Sequence, residues 1–397
     1  MESKSILIFG GGRIGRSFIG QLFGRASYEV IFSDVDPLLI SELNRRKSYT
    51  VVIKGDREEI LNISNVRAVS GSDSEAVIEE IAKASIMAVS VGKNVLVNII
   101  PLIAKGLLKR YIENPLLPVD IIIAENMRSA AEYMRHELLA NLPQDYPINK
   151  LVGLVETSIG KMVPIMTKAD SEKDPLVIFA EPYNILIVDK HGFRAEMPDV
   201  EGLAPKENIQ AWVDRKAFIH NMGHATSAYY GALKHPEAVY VYEVLKNREV
   251  YDFTKKVMMQ SATILRAVYP DDFSMEDLEA HIDNLLCRFQ NKALKDTIFR
   301  VGQDRPRKLG PDDRFFGIIR LAQEKKLDYD IILRAMACAF FFNATDENGK
   351  QSPEDILFSK YLKNGVGYVL QELAGFDPVR DKKLIDETKQ IIEDLYT

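Results

Sequence analysis

The stretch Lys216-Ala-Phe-Ile-His-Asn-Met-Gly-His224 carries an amine, an amide and an imidazole at offsets that converge if it is helical. With Lys216 at zero and about 100° per residue, His224 falls at about 80° and Asn221 at about 140°, so the three share less than half the circumference. A lysine in an apolar cleft loses hydration of its charged form. That draws its pKa from about 10.4 towards roughly 7 to 8, where it can take a proton from a hydroxyl. An amide and an imidazole beside it can hydrogen-bond the oxygen that loses the proton. Gly223, with no β-carbon, leaves room for a ligand to approach the backbone.

Something must hold the other half of such a reaction, and the N-terminal sequence supplies it. Residues 6–9, Ile-Leu-Ile-Phe, read as a strand buried on both faces, and Gly10-Gly-Gly12-Arg13-Ile14-Gly15 follows at once. Apolar positions at Phe18, Ile19, Leu22 and Phe23 then have helical spacing. In this strand-to-helix turn Gly10 permits the tight bend, Gly12 lets a pyrophosphate approach, and Gly15 lets helix and strand pack closely. A second strand, 29–33, ends in Asp34, about 20 residues on, where a carboxylate accepts from the ribose hydroxyls of NAD and repels the extra phosphate of NADP. The competing reading is a cap for the turn that follows. Residues 51–65 suggest an antiparallel excursion around a turn at Lys54-Gly55-Asp56.

The strand 86–91 leads to Gly92, so Ser90, Val91 and Gly92 are expected at the nicotinamide half of the cofactor. A long helix over 95–111 is expected to be interrupted by Pro101. The strand 119–124 delivers Glu125-Asn126 at its carboxyl end. Asn126 suits two roles, an N-cap for a helix over 127–141 or an amide donor to a ligand.

From about residue 194 the pattern becomes helical, at 238–247, 252–269, 274–294, 313–325, 329–342 and 353–396 as well as around Lys216. The chain therefore reads as α/β, with a Rossmann-type dinucleotide-binding domain over 1–193 and a mostly helical domain over 194–397. Arg288 and Asn291 fall at i and i+3 of one predicted helix and share a face. Downstream lie Arg300, the run Asp304-Arg305-Pro306-Arg307-Lys308 and Arg314. Arginine forks bind phosphate in bidentate geometry, and a sugar phosphate needs such a pocket.

The totals agree with two ordinary globular domains: 397 residues, 46% hydrophobic, 27% charged and 17 prolines. A net charge of −6 offers no general attraction to nucleic acid or to an anionic membrane, so any phosphate must be held locally. The two cysteines, Cys287 and Cys338, form no metal cage and point to a reducing compartment. The start runs straight into a strand without a signal-peptide core, and no run of about 18 apolar residues occurs. A cytoplasmic, soluble protein is expected, working as a monomer or weak homodimer.

The spacing from Lys216 through Asn221 and His224 to Ala225 resembles the signature of the polyol-specific long-chain dehydrogenases, the zinc-independent mannitol dehydrogenase family. The resemblance extends through Phe9 to Gly20, Ala124-Glu-Asn-Met127, Arg288-Phe-Gln-Asn291, and Arg300-Val-Gly through Arg307-Lys-Leu309. It implies metal-independent chemistry with NAD on a sugar or polyol phosphate, the interconversion of mannitol 1-phosphate and fructose 6-phosphate at C5. It further implies Lys216 as the base, Asn126 and Asn221 as donors to the substrate oxygen, and His224 as the orienting group. Arg288, Asn291, Arg300, Arg307 and Lys308 would hold the rest of the substrate. His220 has no counterpart in that pattern and reads as packing. Gly160-Lys161 stands where the family has Asp-Arg, which removes a polar anchor. Sibling chemistry on a free polyol or a hexuronate, and a non-catalytic NAD(H)-binding protein, are the competing readings.

Overall fold

A computed structural model describes residues 4–55 and 57–396. Met1 to Ser3, Thr397 and Asp56 of the expected turn lie outside the described residues. The chain divides into two compact units, Met1–Val213 and Asp214–Thr397.

The first unit has eleven described strands. They are β1 (Ser5–Phe9), β2 (Glu29–Asp34), β3 (Ser48–Lys54), β4 (Glu58–Ser64), β5 (Val66–Ser70), β6 (Ile86–Val89), β7 (Val119–Ile123), β8 (Val152–Ser158), β9 (Val177–Ala180), β10 (Leu186–Asp189) and β11 (Leu203–Lys206). Eight form one sheet in the order β11-β10-β8-β7-β6-β1-β2-β5, and β4-β3-β9 form a small second sheet. From β5 to β8 every neighbour is parallel, and only β10 runs antiparallel to β8. This is the doubly wound arrangement, whose ligands bind outside the carboxyl ends of the strands.

Alternation along β1 explains why the sheet is covered on both faces. Ile6 and Ile8 enter one apolar core and Leu7 and Phe9 the other. Each buried aliphatic side chain contributes roughly 1.5–3 kcal/mol, so a shift of one residue in β1 would exchange the two sets. The excursion expected over 51–65 is the antiparallel pair β3–β4, which β9 joins in parallel.

Contrary to expectation, Pro101 does not interrupt its helix. The helix runs unbroken over Lys93–Glu113, because Pro101 lies on the exposed side where water can take up the carbonyl its ring leaves unpaired. The division between the units falls after Val213 rather than after residue 193, since β11 pairs with β10 and keeps residues 203–206 in the first unit.

In the second unit most helices are shorter than their apolar periodicity suggested, although Arg248–Val268 starts before the expected 252–269. The segment expected over 274–294 is the helix Met275–Phe289 followed by a single 3-10 turn at Lys292–Leu294. The C-terminal run resolves into Pro353–Leu362, Val366–Glu372 and Lys382–Tyr396. Capping explains several of the starts: Asn247, Ser274 and Ser352 each accept backbone N–H bonds in the first turn. Gly223 is not an opening for a ligand. A β-carbon there would lie 2.5 Å from Met258 Sδ, so it is the point at which Met222–Lys234 packs against Arg248–Val268.

Candidate functional site

The glycine loop has the form a dinucleotide needs. Gly10 adopts φ +94°, and a β-carbon on it would come 2.7 Å from the Ser90 carbonyl oxygen. One on Gly15 would lie 1.9 Å from the Gly10 oxygen. Gly12 differs, since a β-carbon there would meet nothing within 4 Å. Two glycines thus close the turn and the third leaves its outer side open, which fits a pyrophosphate brought against the backbone. Arg13 is exposed on the helix start and Ile14 packs against the sheet core.

Asp34 ties this loop to its own strand. Its Oδ2 accepts from the Gly11 N–H at 2.7 Å, and its Oδ1 accepts from Val35 N–H at 2.7 Å and Asp36 N–H at 2.9 Å. The turn cap weighed against the ribose role is therefore present. Ser90 donates from its hydroxyl to the carbonyls of Phe9 and Gly10, each at 3.2 Å. The Val91 and Gly92 amides both donate to Glu125 Oε1, at 2.8 and 3.0 Å. Burial raises the pKa of Glu125 while those two amides oppose the rise. Sequence reasoning passed over Glu125, although the Glu-Asn pair that contains it was in view.

Asn126 is exposed beyond β7, but it is not an N-cap. The helix begins at Ala130, with Ser129 at φ 51° in the cap position, so three residues separate Asn126 from the first turn. Lys161 proves to be internal scaffolding. It is 6% exposed, and its ammonium donates to the carbonyls of Glu181 (3.2 Å) and Tyr183 (2.7 Å) and to Asn184 Oδ1 (3.1 Å). It pins the connection between β9 and β10.

In the second unit the segment Lys216–Asn221 is a π-helical turn, not the regular α-helix assumed above. The Met222 N–H reaches back five residues to the Ala217 carbonyl, and regular helix resumes at Met222–Lys234. Such one-turn irregularities occur often at functional sites. An i→i+5 ladder brings Asn221 nearly above Lys216, closer than the about 140° expected from α-helical spacing. Lys216, Asn221 and His224 are all partly open, while Phe218 to His220, Met222, Gly223 and Ala225 are buried, so the three share the accessible stripe.

Surrounding protein desolvates the Lys216 amine and lowers its pKa to about 8; the cations of Arg314 and Arg307 push the same way and Asp313 opposes them. The amine can therefore exist neutral near physiological pH. His224 is stacked on Phe289 at 4.6 Å, with 12° between the planes. Its Nε2 lies 3.2 Å from Oδ2 of Asp296, a residue that sequence reasoning did not single out. Burial and the cations of Arg300, Lys308, Arg314 and Arg288 hold His224 well below its usual pKa. His220 is buried against Phe289, in keeping with packing.

The basic group falls into two sets. Lys308 is buried and donates to the Val301 carbonyl at 2.7 Å and to that of Gln303; burial first, then Arg314 and Arg307, lowers it to about 7. Arg305, 1% exposed, is locked to Asp355 at 2.8 Å and lies over the Phe358 ring. Arg314 is also buried, bound to Asp313 and to the Asn221 carbonyl at 3.3 Å. Arg307 is half exposed and pairs with Asp304 at 2.5 Å and Asp313 at 3.5 Å, and Arg300 pairs with Asp296. Asn291 lies beyond the end of the helix that carries Arg288, so the shared helical face is corrected: its side chain caps the 3-10 turn by accepting from Ala293 N–H at 2.9 Å. Among the described residues no three His, Cys, Asp or Glu side chains gather as a metal site, and no helix is long and apolar enough to cross a membrane.

A doubly wound sheet with a pyrophosphate-sized glycine turn, followed by a helical unit bearing a desolvated amine, defines a two-domain protein of the dinucleotide-binding class. Residues 4–202 match the mannitol dehydrogenase Rossmann domain and residues 208–395 the mannitol dehydrogenase C-terminal domain. The chain belongs to the mannitol dehydrogenase family. It is 31% identical over 392 residues to mannitol-1-phosphate 5-dehydrogenase of Lactococcus lactis subsp. lactis (strain IL1403), covering 98% of each chain. Its fold is similar to that of a D-sorbitol dehydrogenase in substrate-free form (TM-score 0.80, 17% identity, 99% of this chain and 93% of the other). It is also similar to Pseudomonas fluorescens mannitol 2-dehydrogenase in a ternary complex with NAD and D-mannitol (TM-score 0.76, 15% identity, 99% and 92%).

Proposed function

We propose that this protein is a cytoplasmic, NAD-dependent oxidoreductase that interconverts mannitol 1-phosphate and fructose 6-phosphate at C5. The observation that carries the reading is the Lys216 amine, desolvated to a pKa of about 8 on the same accessible stripe as Asn221 and His224. A binding module has no use for such an amine. The likeness to a mannitol-1-phosphate 5-dehydrogenase along nearly the whole chain supports the choice of substrate.

The nicotinamide, when bound, supplies the hydride acceptor for polyol oxidation and the donor for ketose reduction. Gly10, Gly12, Gly15 and Asp34 hold the dinucleotide, with Ser90, Val91 and Gly92 towards its nicotinamide half. Neutral Lys216 takes the proton of the C5 hydroxyl as that carbon is oxidised, and returns it in reduction. Asn221 donates a hydrogen bond to the same oxygen, and a preorganised donor of this kind contributes roughly 3 to 4 kcal/mol in a dry site. His224 orients the substrate. Arg300 and Arg307, the more accessible of the basic group, take the phosphate.

One observation favours a second reading, a sibling enzyme acting on an unphosphorylated polyol: Arg305, Lys308 and Arg314 are committed to internal partners, which leaves fewer cations for a phosphate. NADH oxidation should be followed with fructose 6-phosphate, fructose and fructuronate at matched concentrations. Saturation by fructose 6-phosphate alone is the expected result; equal or better turnover of fructose or fructuronate overturns the substrate assignment.

A further inference from the structure

The carboxylate of Asp296 meets a ring nitrogen of His224 on one side and the guanidinium of Arg300 on the other, and it is only 4% exposed. Its backbone has little freedom. The Val241 N–H donates to the Asp296 carbonyl at 2.9 Å and the Ile298 N–H to the Val239 carbonyl at 2.8 Å. Thr297, the next residue, caps the helix Ile298–Gly302 by accepting from Arg300 N–H at 3.1 Å. The imidazole is equally constrained. Phe289 stacks on its face, and Nε2 and the Asp296 Oδ2 that lies 3.2 Å from it are both shut off from solvent and have no other hydrogen-bond partner.

A carboxylate can only accept hydrogen bonds, and a neutral imidazole carries one proton on one of its two nitrogens. Beside Asp296 that proton belongs on Nε2, which leaves the lone pair on Nδ1. The geometry points to Asp296 as a positioning residue: it fixes His224 in the Nε2–H tautomer, so that Nδ1 accepts a hydrogen bond from a substrate hydroxyl, and the same carboxylate anchors Arg300. This rests on the reaction proposed above, in which His224 meets the substrate. It assigns the imidazole an accepting role, complementary to the donating amide of Asn221.

The test is Asp296→Asn in the full-length protein. Arg300 claims the amide oxygen of the new side chain, so the NH2 group faces Nε2 and drives the imidazole proton to Nδ1. Nitrogen NMR of histidine-labelled wild-type protein should show His224 protonated on Nε2, and the variant should show the reverse. NADH affinity by fluorescence titration should be unchanged, while kcat/KM for fructose 6-phosphate should fall on the order of 10- to 100-fold. In a His224→Asn background the same substitution should add less than about 3-fold, because the two residues act as one unit.

A wild-type His224 protonated on Nδ1 overturns the inference without need of any variant. So does an undiminished kcat/KM in Asp296→Asn, or an equal loss with and without His224. If His224→Asn alone leaves kcat/KM intact for every sugar and polyol tried, the role of His224 in the proposed reaction fails instead, whatever the tautomer.

Discussion

The glycine loop and the Lys216 turn prepare for a ligand in opposite ways. In the loop the decisive quantities are distances that a β-carbon would violate, 1.9 Å at Gly15 and 2.7 Å at Gly10, against open space at Gly12. In the turn it is the charge of the Lys216 amine, set first by burial and then by residues about 90 to 100 positions further along the chain, Arg314 foremost. The first arrangement depends on which groups are missing and reads directly from sequence order. The second depends on burial and on long-range partners, and it exists only once the helices have packed.

The contrast can be broken at its strongest point. Lys216→Ala should lower kcat by about 10³-fold, the scale of a lost general base, while NADH still binds. Near-normal turnover would place the proton transfer elsewhere. In the loop, Gly15→Ala should cost about 3 kcal/mol in chemical denaturation, since the new methyl meets a backbone oxygen that cannot swing away. Gly12→Ala should leave stability within about 0.5 kcal/mol and instead weaken NADH by about tenfold. If the two variants behaved alike, the division between closing and opening glycines would be wrong.

A smaller effect sharpens the other side. Polyol oxidation requires the neutral amine of Lys216, so its rate should rise as pH passes upward through about 8. Ketose reduction requires the ammonium form and should decline across the same interval. A shared, flat profile between about pH 7 and 9 would show that the amine does not titrate there.

What could be foreseen from sequence follows the same division. The strand, the glycine turn and Asp34 were legible because each signal is local and the strands are buried on both faces. The one-turn irregularity at Lys216 was not, because nothing in the residue types distinguishes it from regular helix. Gly223 was misread for a related reason: its neighbour is Met258, on another helix. The basic run from Arg305 to Arg314 looked like one phosphate pocket, but charge in a sequence does not show which cations are already paired. Arg305 with Asp355 and Lys308 with two carbonyls could be separated from Arg307 only in three dimensions. Asp296 left no trace beyond its i, i+4 spacing to Arg300.

The wide turn at Lys216–Asn221 holds one residue more than an ordinary spiral would accommodate. Were the ladder to close regularly with every residue kept, everything that follows would swing by about 100° relative to the lysine. Register, as much as composition, is thus part of what this segment encodes, and a graft of the stretch from Lys216 to His224 onto another scaffold must carry the surplus residue with it.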